Sequence, residues 1–219
     1  MERLVCLLLG YAFGCFPTGY IYAKLHGVDI RKKGSGNIGS TNVLRNMGPK
    51  AGLITMLGDF AKTMLPIFII SQIFKSQPEL RYLYMVYTGL GAILGHNYPV
   101  TLGFKGGKGV ACTGAMIIVS DPVIFVVCLT LFLGTVFITK YVSLGSLLVA
   151  AGYFVTNMIL IYSGSSIGWG SGSMIVPEYR MELSIVVTIV SALIVFQHRS
   201  NIVRLLNGNE NKLSFGSKK

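Results

Sequence analysis

Apolar residues gather into seven runs along this 219-residue chain, at 4–23, 51–74, 82–95, 110–119, 123–138, 144–162 and 183–197. With their flanks, several reach the roughly 20 residues that carry a helix across a hydrocarbon layer. The third and fourth are shorter, and 110–119 reads as re-entrant or buried inside the bundle. The pattern predicts an all-α membrane protein, a bundle of seven transmembrane helices forming one integral-membrane domain over 1–219. No separate soluble domain and no trustworthy internal repeat stands out.

Composition strengthens that picture. Hydrophobic residues make up 52% of the chain, charged residues 12%, and the mean hydropathy is +0.63. A soluble domain carries roughly 25% charged residues. The N-terminus imitates a secretory leader, with Arg3 before an apolar stretch and Ala12-Phe13-Gly14-Cys15 resembling a lipoprotein cleavage site. The run continues through Ile21-Tyr22-Ala23 and more follow it, so a first transmembrane helix is expected instead. Cys6, Cys15, Cys112 and Cys128 lie in or beside apolar runs, without a CxxC pair or zinc-like spacing, and read as small packing residues.

The net charge of +11 and pI near 9.6 would suggest nucleic acid in a soluble protein. Here the basic residues sit between apolar runs, where they set orientation, and no nucleic-acid partner is expected. With seven spans and the N-terminus outside, fourteen Lys and Arg residues fall on the inner side and only Arg3, Lys75, Arg81 and Arg180 on the outer. The C-terminus is then cytoplasmic. The same topology collects residues 34–45, 96–109, 140–143 and 198–210 on the cytoplasmic face. On the other side, 163–173 is rich in Gly and Ser around Trp169 and reads as a flexible surface connection.

Three polar blocks carry chemistry. The first, Gly34-Ser35-Gly36-Asn37-Ile38-Gly39-Ser40-Thr41-Asn42 with Arg45, formally contains G-x-G-x-x-G. It follows a membrane helix rather than a strand, so it is no dinucleotide fingerprint. What it offers is Gly backbone that a ligand can approach, hydroxyl and amide groups, and a guanidinium. The second runs from Gly95-His96-Asn97-Tyr98-Pro99 to Phe104-Lys105-Gly106-Gly107-Lys108-Gly109 and opens into an apolar helix. Free N–H groups, the helix dipole and two lysines make an anion site there. It is not a Walker loop, because Gly109 stands where Ser or Thr is required. The third is His198-Arg199-Ser200-Asn201-Ile202-Val203-Arg204 with Gly208 and Glu210; His198, Asn201 and Ile202 share one helical face.

Single residues add less. Asp59 and Lys62 lie inside an apolar run at i, i+3 spacing, where charge is costly unless paired, and read as a structural pair. Ser143, after Lys140 at the inner end of a span, is either a cap or a site residue. His26 reads as an interfacial residue.

Together the three blocks resemble the bacterial acyl-phosphate-dependent glycerol-3-phosphate acyltransferases of the PlsY type, in order, spacing and side, over essentially the whole chain. That resemblance implies a seven-helix inner-membrane enzyme acting at its cytoplasmic face. The implied reaction moves an acyl group from acyl phosphate to the sn-1 hydroxyl of glycerol 3-phosphate. Lysophosphatidic acid and phosphate are the products, in the first step of bacterial phospholipid synthesis. No metal and no organic cofactor is implied, and a soluble partner enzyme supplies the acyl phosphate. The His-x4-Asp signature of other glycerol-phosphate acyltransferases is absent, since Arg31, Thr101 and Val203 stand five residues after the three histidines.

The site expected from that resemblance places Ser35, Arg45, Lys105, His198 and Asn201 in catalysis. Gly36, Asn37, Thr41, Asn42, Gly106, Gly107, Lys108, Ser143 and Arg204 bind phosphate, and His96 and Glu210 give structural support. Gly106, Gly107 and neighbouring amides, with Ser35, hold the acyl phosphate. Arg45, Lys105, Ser143, His198 and Asn201 hold glycerol 3-phosphate. His198 or a substrate phosphate accepts the hydroxyl proton. The rival reading is a transporter or flippase for a phosphorylated solute or lipid, but transporters place their sites near the bilayer midplane, and these blocks lie at one edge.

Overall fold

A computed structural model describes residues 1–165, 167–168 and 175–213 of the chain; Trp169, most of the Gly/Ser-rich stretch around it, and Lys218 and Lys219 lie outside the described residues. Each of the seven apolar runs is helical. Among the described residues five stretches are long and apolar enough to cross a membrane: Glu2–Leu25, Pro49–Ile73, Pro122–Thr139, Val142–Ser163 and Pro177–Gln197.

The first of these is two helices, α1 (Glu2–Gly14) and α2 (Thr18–Leu25), where hydropathy alone predicted one. Pro17 is the cause: it lacks the N–H and its ring obstructs the preceding turn. The break leaves carbonyls without helical partners. Thr101 donates to the carbonyl of Cys15 (3.0 Å) and the Lys62 ammonium donates to that of Phe16 (2.8 Å). A short amphipathic helix, α3 (Ser40–Met47), then turns at Gly48 (φ 89°) into α4 (Pro49–Ile73).

The helix α5 (Pro78–Asn97) is the axis of the bundle, with 14 of its 20 residues buried. It meets α1 almost backbone to backbone. A Cβ added at Gly91 would strike the carbonyl of Leu7, and one at Gly10 the carbonyl of Thr88; Gly14 and Gly95 are hemmed in similarly by Ala92 and Tyr11. Such contact is the usual route to tight helix pairs in lipid, where van der Waals packing replaces the hydrophobic effect.

After α5 comes α6 (Val110–Ser120), of 11 residues. At ~1.5 Å per residue it rises about 16 Å, roughly half of a ~30 Å hydrocarbon core. Asp121 ends it and caps α7 (Pro122–Thr139) by accepting the N–H groups of Val123 and Ile124. Then α8 (Val142–Ser163), α9 (Pro177–Gln197) and the short α10 (Arg199–Leu206) follow. At one end of the bundle Arg3 pairs with Glu182 of α9 through both carboxylate oxygens, and Tyr87 donates to the same carboxylate. As α9 runs from there to α10, the N-terminus and α10 lie at opposite ends. The outer faces expose Leu8, Leu65, Phe68, Leu133, Phe137 and Ile185, a surface suited to lipid.

The α1–α5 contact predicts a sharp contrast between two glycines. Gly91→Ala should destabilise by about 1–3 kcal/mol through overpacking, seen as a lower thermal midpoint in detergent. Gly134→Ala in α7, where a Cβ meets nothing within 4 Å, should be neutral or stabilising. Equal effects at the two positions would contradict the packing.

Candidate functional site

At the α10 end of the bundle a cavity of about 390 Å³ runs inward between helices. Its polar mouth is lined by Ser35, Asn37, Thr41, Arg45, Lys108, Ser143, His198, Asn201, Arg204 and Glu210. Its inner part is lined by Met56, Phe60, Ile117, Phe125, Leu129, Phe132 and Val149 from α4, α6, α7 and α8. A neighbouring depression of about 310 Å³ holds Lys105, Gly106, Gly107 and Arg199, with Asn37 and Lys108 common to both.

Three helices begin at the mouth. The first turns of α3 (Ser40, Thr41), α6 (Val110, Ala111) and α8 (Val142, Ser143) all line the cavity, and none has a capping side chain. First-turn N–H groups lack partners within their helix, and the dipole makes that end positive. Three such ends on one cavity are chemically suited to hold an anion. The sequence offers Thr41 and Arg45 as site residues and includes Ser40 in the first polar block, but that a helix starts at Ser40 was not read from it. The signal was the uncapped Gly39 before Ser40, a cap position that a ligand can approach.

The cations and their partners form one network. The Lys108 ammonium donates to Asn201 Oδ1. Asn201 Nδ2 donates to Glu210 Oε1 (2.9 Å), and Arg204 Nε donates to Glu210 Oε2 (2.8 Å). Arg45 donates to the carbonyl of Asn211 (3.0 Å), which brings the C-terminal segment across the mouth. The Ser143 hydroxyl is buried beside Glu210.

Burial shapes the charge states. It pushes Lys108 down to about 8, with Arg204 and Arg45 adding to the fall and Glu210 opposing it. It also lowers Arg45. Burial works against ionisation of Glu210, yet hydrogen bonds from Asn201 and Arg204 hold its pKa below the usual value. His198 is buried at the corner between α9 and α10 and falls to about 4, with burial the largest cause. Its Nδ1 donates to the Ile194 carbonyl (2.8 Å), so the neutral ring keeps the lone pair on Nε2.

Several of the expected ligands have their polar groups engaged within the protein. Asn42 Oδ1 accepts from the Ser35 N–H (3.1 Å) and Asn46 Nδ2 (3.0 Å), while its Nδ2 donates to the carbonyls of Lys33 (3.0 Å) and Asn37 (2.8 Å). All four of its hydrogen-bonding positions are taken, so it organises the loop. Gly36 sits outside the cavity at φ 70°, its N–H given to the Lys33 carbonyl. The amides of Gly106 and Gly107, expected to hold a phosphate, donate to the carbonyls of Asn97 (3.1 Å) and His96 (2.9 Å). They close the end of α5, where carbonyls have no helical partner. Lys105 lies in the adjoining depression rather than beside Arg45.

A buried cluster backs the mouth. Asp59 and His96 reach the cavity wall, and Lys62 lies 2.7 Å from Asp59 Oδ1 and 2.9 Å from His96 Nδ1. The expected pairing of Asp59 with Lys62 is present; its third member was not legible from i, i+3 spacing.

The profile of a family described as glycerol-3-phosphate acyltransferase matches residues 4–208. A glycerol-3-phosphate acyltransferase of Clostridioides difficile strain 630 is 41% identical over 99% of this chain and 97% of its own. One of Geotalea daltonii is 38% identical over 96% and 97%. The crystal structure of PlsY, an integral membrane glycerol 3-phosphate acyltransferase, in its glycerol 3-phosphate form superposes with a TM-score of 0.80. It is 34% identical, with 98% of this chain and 96% of that chain covered. Its lysophosphatidic acid form gives a TM-score of 0.78 at 33% identity.

The network sets a pH dependence for anion binding. Lys108 loses its charge as pH rises through about 8, so affinity for sulfate, whose own charge is constant there, should decline through that pH. Because Glu210 holds the Lys108 pKa up, Glu210→Gln should move the decline to lower pH. Titration calorimetry across pH 6–10 reads it, and a decline near ~10.4, the ordinary lysine value, contradicts the assignment.

Proposed function

The chain belongs to the glycerol-3-phosphate acyltransferase family, and from that premise we propose that it transfers an acyl group from acyl phosphate to the sn-1 hydroxyl of glycerol 3-phosphate. The products are lysophosphatidic acid and inorganic phosphate. The observation that carries this reading is a single cavity whose mouth joins three uncapped helix starts and three cations to an apolar inner arm. Two anions, one bearing a chain, suit that shape.

An acyl phosphate is already activated, so little covalent work is left to the protein. It must hold two anions together, screen their repulsion and aim the hydroxyl at the acyl carbon. The chain lies in the apolar arm, which sets the donor phosphate at the mouth against Ser35, Thr41 and the starts of α3 and α6. Arg45, Lys108, Ser143, Asn201 and Arg204 hold the acceptor, and Lys105 meets it on the aqueous side. The hydroxyl oxygen attacks the acyl carbon, the bond from that carbon to the phosphate oxygen breaks, and phosphate leaves with the electron pair.

The proton goes to a substrate phosphate. His198, lowered to about 4, is a poor base at neutral pH, but its Nε2 lone pair can accept the acceptor hydroxyl and orient it. No covalent acyl-enzyme is needed. In the membrane, α1 with α2 makes the first of seven segments and α4 to α9 the other six, the short α6 crossing together with the chain that flanks it, with the N-terminus outside and the C-terminus and site cytoplasmic. This arrangement suits a bacterial inner membrane and a soluble enzyme that supplies acyl phosphate.

Purified protein in lipid should form lysophosphatidic acid from acyl phosphate and glycerol 3-phosphate, and not from acyl-CoA. No product under any condition that keeps the fold overturns the proposal. Arg45→Ala and Lys105→Ala should each lower kcat/KM at least tenfold, roughly 1.4 kcal/mol or more. His198→Gln should keep a measurable kcat without the pH dependence of an essential base.

A further inference from the structure

The Asp59–Lys62–His96 cluster lies just behind the mouth, and the acyl-transfer scheme leaves it without a role. All three residues are almost wholly buried. The Lys62 ammonium has three N–H bonds and three acceptors: Asp59 Oδ1 (2.7 Å), the Phe16 carbonyl (2.8 Å) and His96 Nδ1 (2.9 Å). With Lys62 charged its ammonium cannot accept, so Nδ1 of His96 accepts and the ring proton sits on Nε2; the 3.5 Å approach of Nδ1 to Asp59 Oδ1 is then a contact without a hydrogen bond. Asp59 and Lys62 thus fix both the tautomer and the plane of the imidazole.

The far edge of that ring touches the anion loop. A Cβ built on Gly107 would fall on His96 Nε2, so the imidazole and the Gly107 backbone are in direct contact. The His96 carbonyl also accepts the Gly107 N–H (2.9 Å). Side chain and backbone of one residue therefore grip Gly107 from two directions. The next residues are Lys108, which reaches Asn201, and Gly109 (φ 78°), which starts α6.

We propose that Asp59 and Lys62 are positioning residues for the reaction, acting through His96 to set the Gly107–Gly109 turn, and with it Lys108 and the start of α6, at the cavity mouth. The pair does more than neutralise itself. Its geometry is transmitted to the phosphate site through one imidazole of fixed tautomer. This rests on the acyl-transfer reading for its kinetic arm and on geometry alone for its spectroscopic arm.

The experiment has two readouts on full-length protein in lipid nanodiscs. In histidine-¹⁵N-labelled protein, His96 should appear as the Nε2–H tautomer with a hydrogen-bonded Nδ1, and lose that signature in the charge-neutral double variant Asp59→Asn/Lys62→Met. Imidazolium or Nδ1–H in the parent protein overturns the proposal. In the kinetic arm the same folded double variant should lose at least tenfold in kcat with KM for glycerol 3-phosphate within about threefold. Activity kept within threefold means the pair only stabilises the fold, and also overturns it.

Should the double variant not fold, a second route leaves the ion pair intact. Gly107→Ala alone should lose at least tenfold in activity by striking His96. Adding His96→Asn, whose shorter side chain vacates that space while its oxygen still accepts from Lys62, should recover at least threefold. Simple addition of the two losses rejects the contact. If the parent protein makes no product, the acyl-transfer reading fails while the tautomer result still decides this one.

Discussion

A helix end inside a membrane protein finds no partner in lipid for its N–H or C=O groups. This bundle has several such ends around one point, and how each is satisfied decides the rest. Where α1 stops at Pro17, Thr101 and Lys62 take the carbonyls of Cys15 and Phe16. Where α5 stops, the Gly106 and Gly107 amides take those of Asn97 and His96. Where α3, α6 and α8 start, no capping side chain takes the N–H groups. Carbonyl ends are closed by the protein itself and N–H ends are left facing a cavity. That asymmetry gives the cavity a positive character, suited to an anion, before any lysine or arginine is counted.

The charged side chains then have to live beside those positive ends. Lys108, Arg45 and Arg204 share the mouth, and burial with mutual repulsion lowers Lys108 and Arg45. Glu210 opposes this from within, tied to Arg204 directly and to Lys108 through Asn201. One carboxylate against three cations leaves the mouth net positive. On the acyl-transfer reading an arriving phosphate meets a site already arranged, and the reorganisation that binding requires is small.

Hydropathy located all seven helical runs, five of them, among the described residues, long and apolar enough to cross a membrane, because lipid imposes apolarity on the helices that face it. It read through the Pro17 break, since Cys15, Phe16 and the residues after Pro17 stay apolar on average while the backbone turns. The three polar blocks were legible as chemistry, and the structure gathers them on one cavity with the adjoining depression. What sequence could not separate was ligand from scaffold. Asn42, Gly36, Gly106 and Gly107 have the residue types of a phosphate cradle, yet their polar groups are engaged by their own loops. Whether an amide is free depends on which carbonyl lies 3 Å away, and residue type does not record that. His96 behind Asp59 and Lys62 was hidden for the same reason, lying 34 positions from Lys62.

The short α6 shows why the weakest hydropathy signal sits at the centre of the site. A helix spanning the full hydrocarbon layer would begin at the membrane surface, with its positive end in water. In the 11-residue α6, Gly109, Val110 and Ala111 border the cavity and Ile117 of the same helix lines its apolar arm. On the acyl-transfer reading, one helix then contacts both halves of the donor: its start meets the phosphate and its flank meets the chain. A substrate that is half lipid and half ion needs such an element. On the same reading the loop that begins α6 has to be held in place by the protein. The grip of His96 on Gly107 supplies that hold.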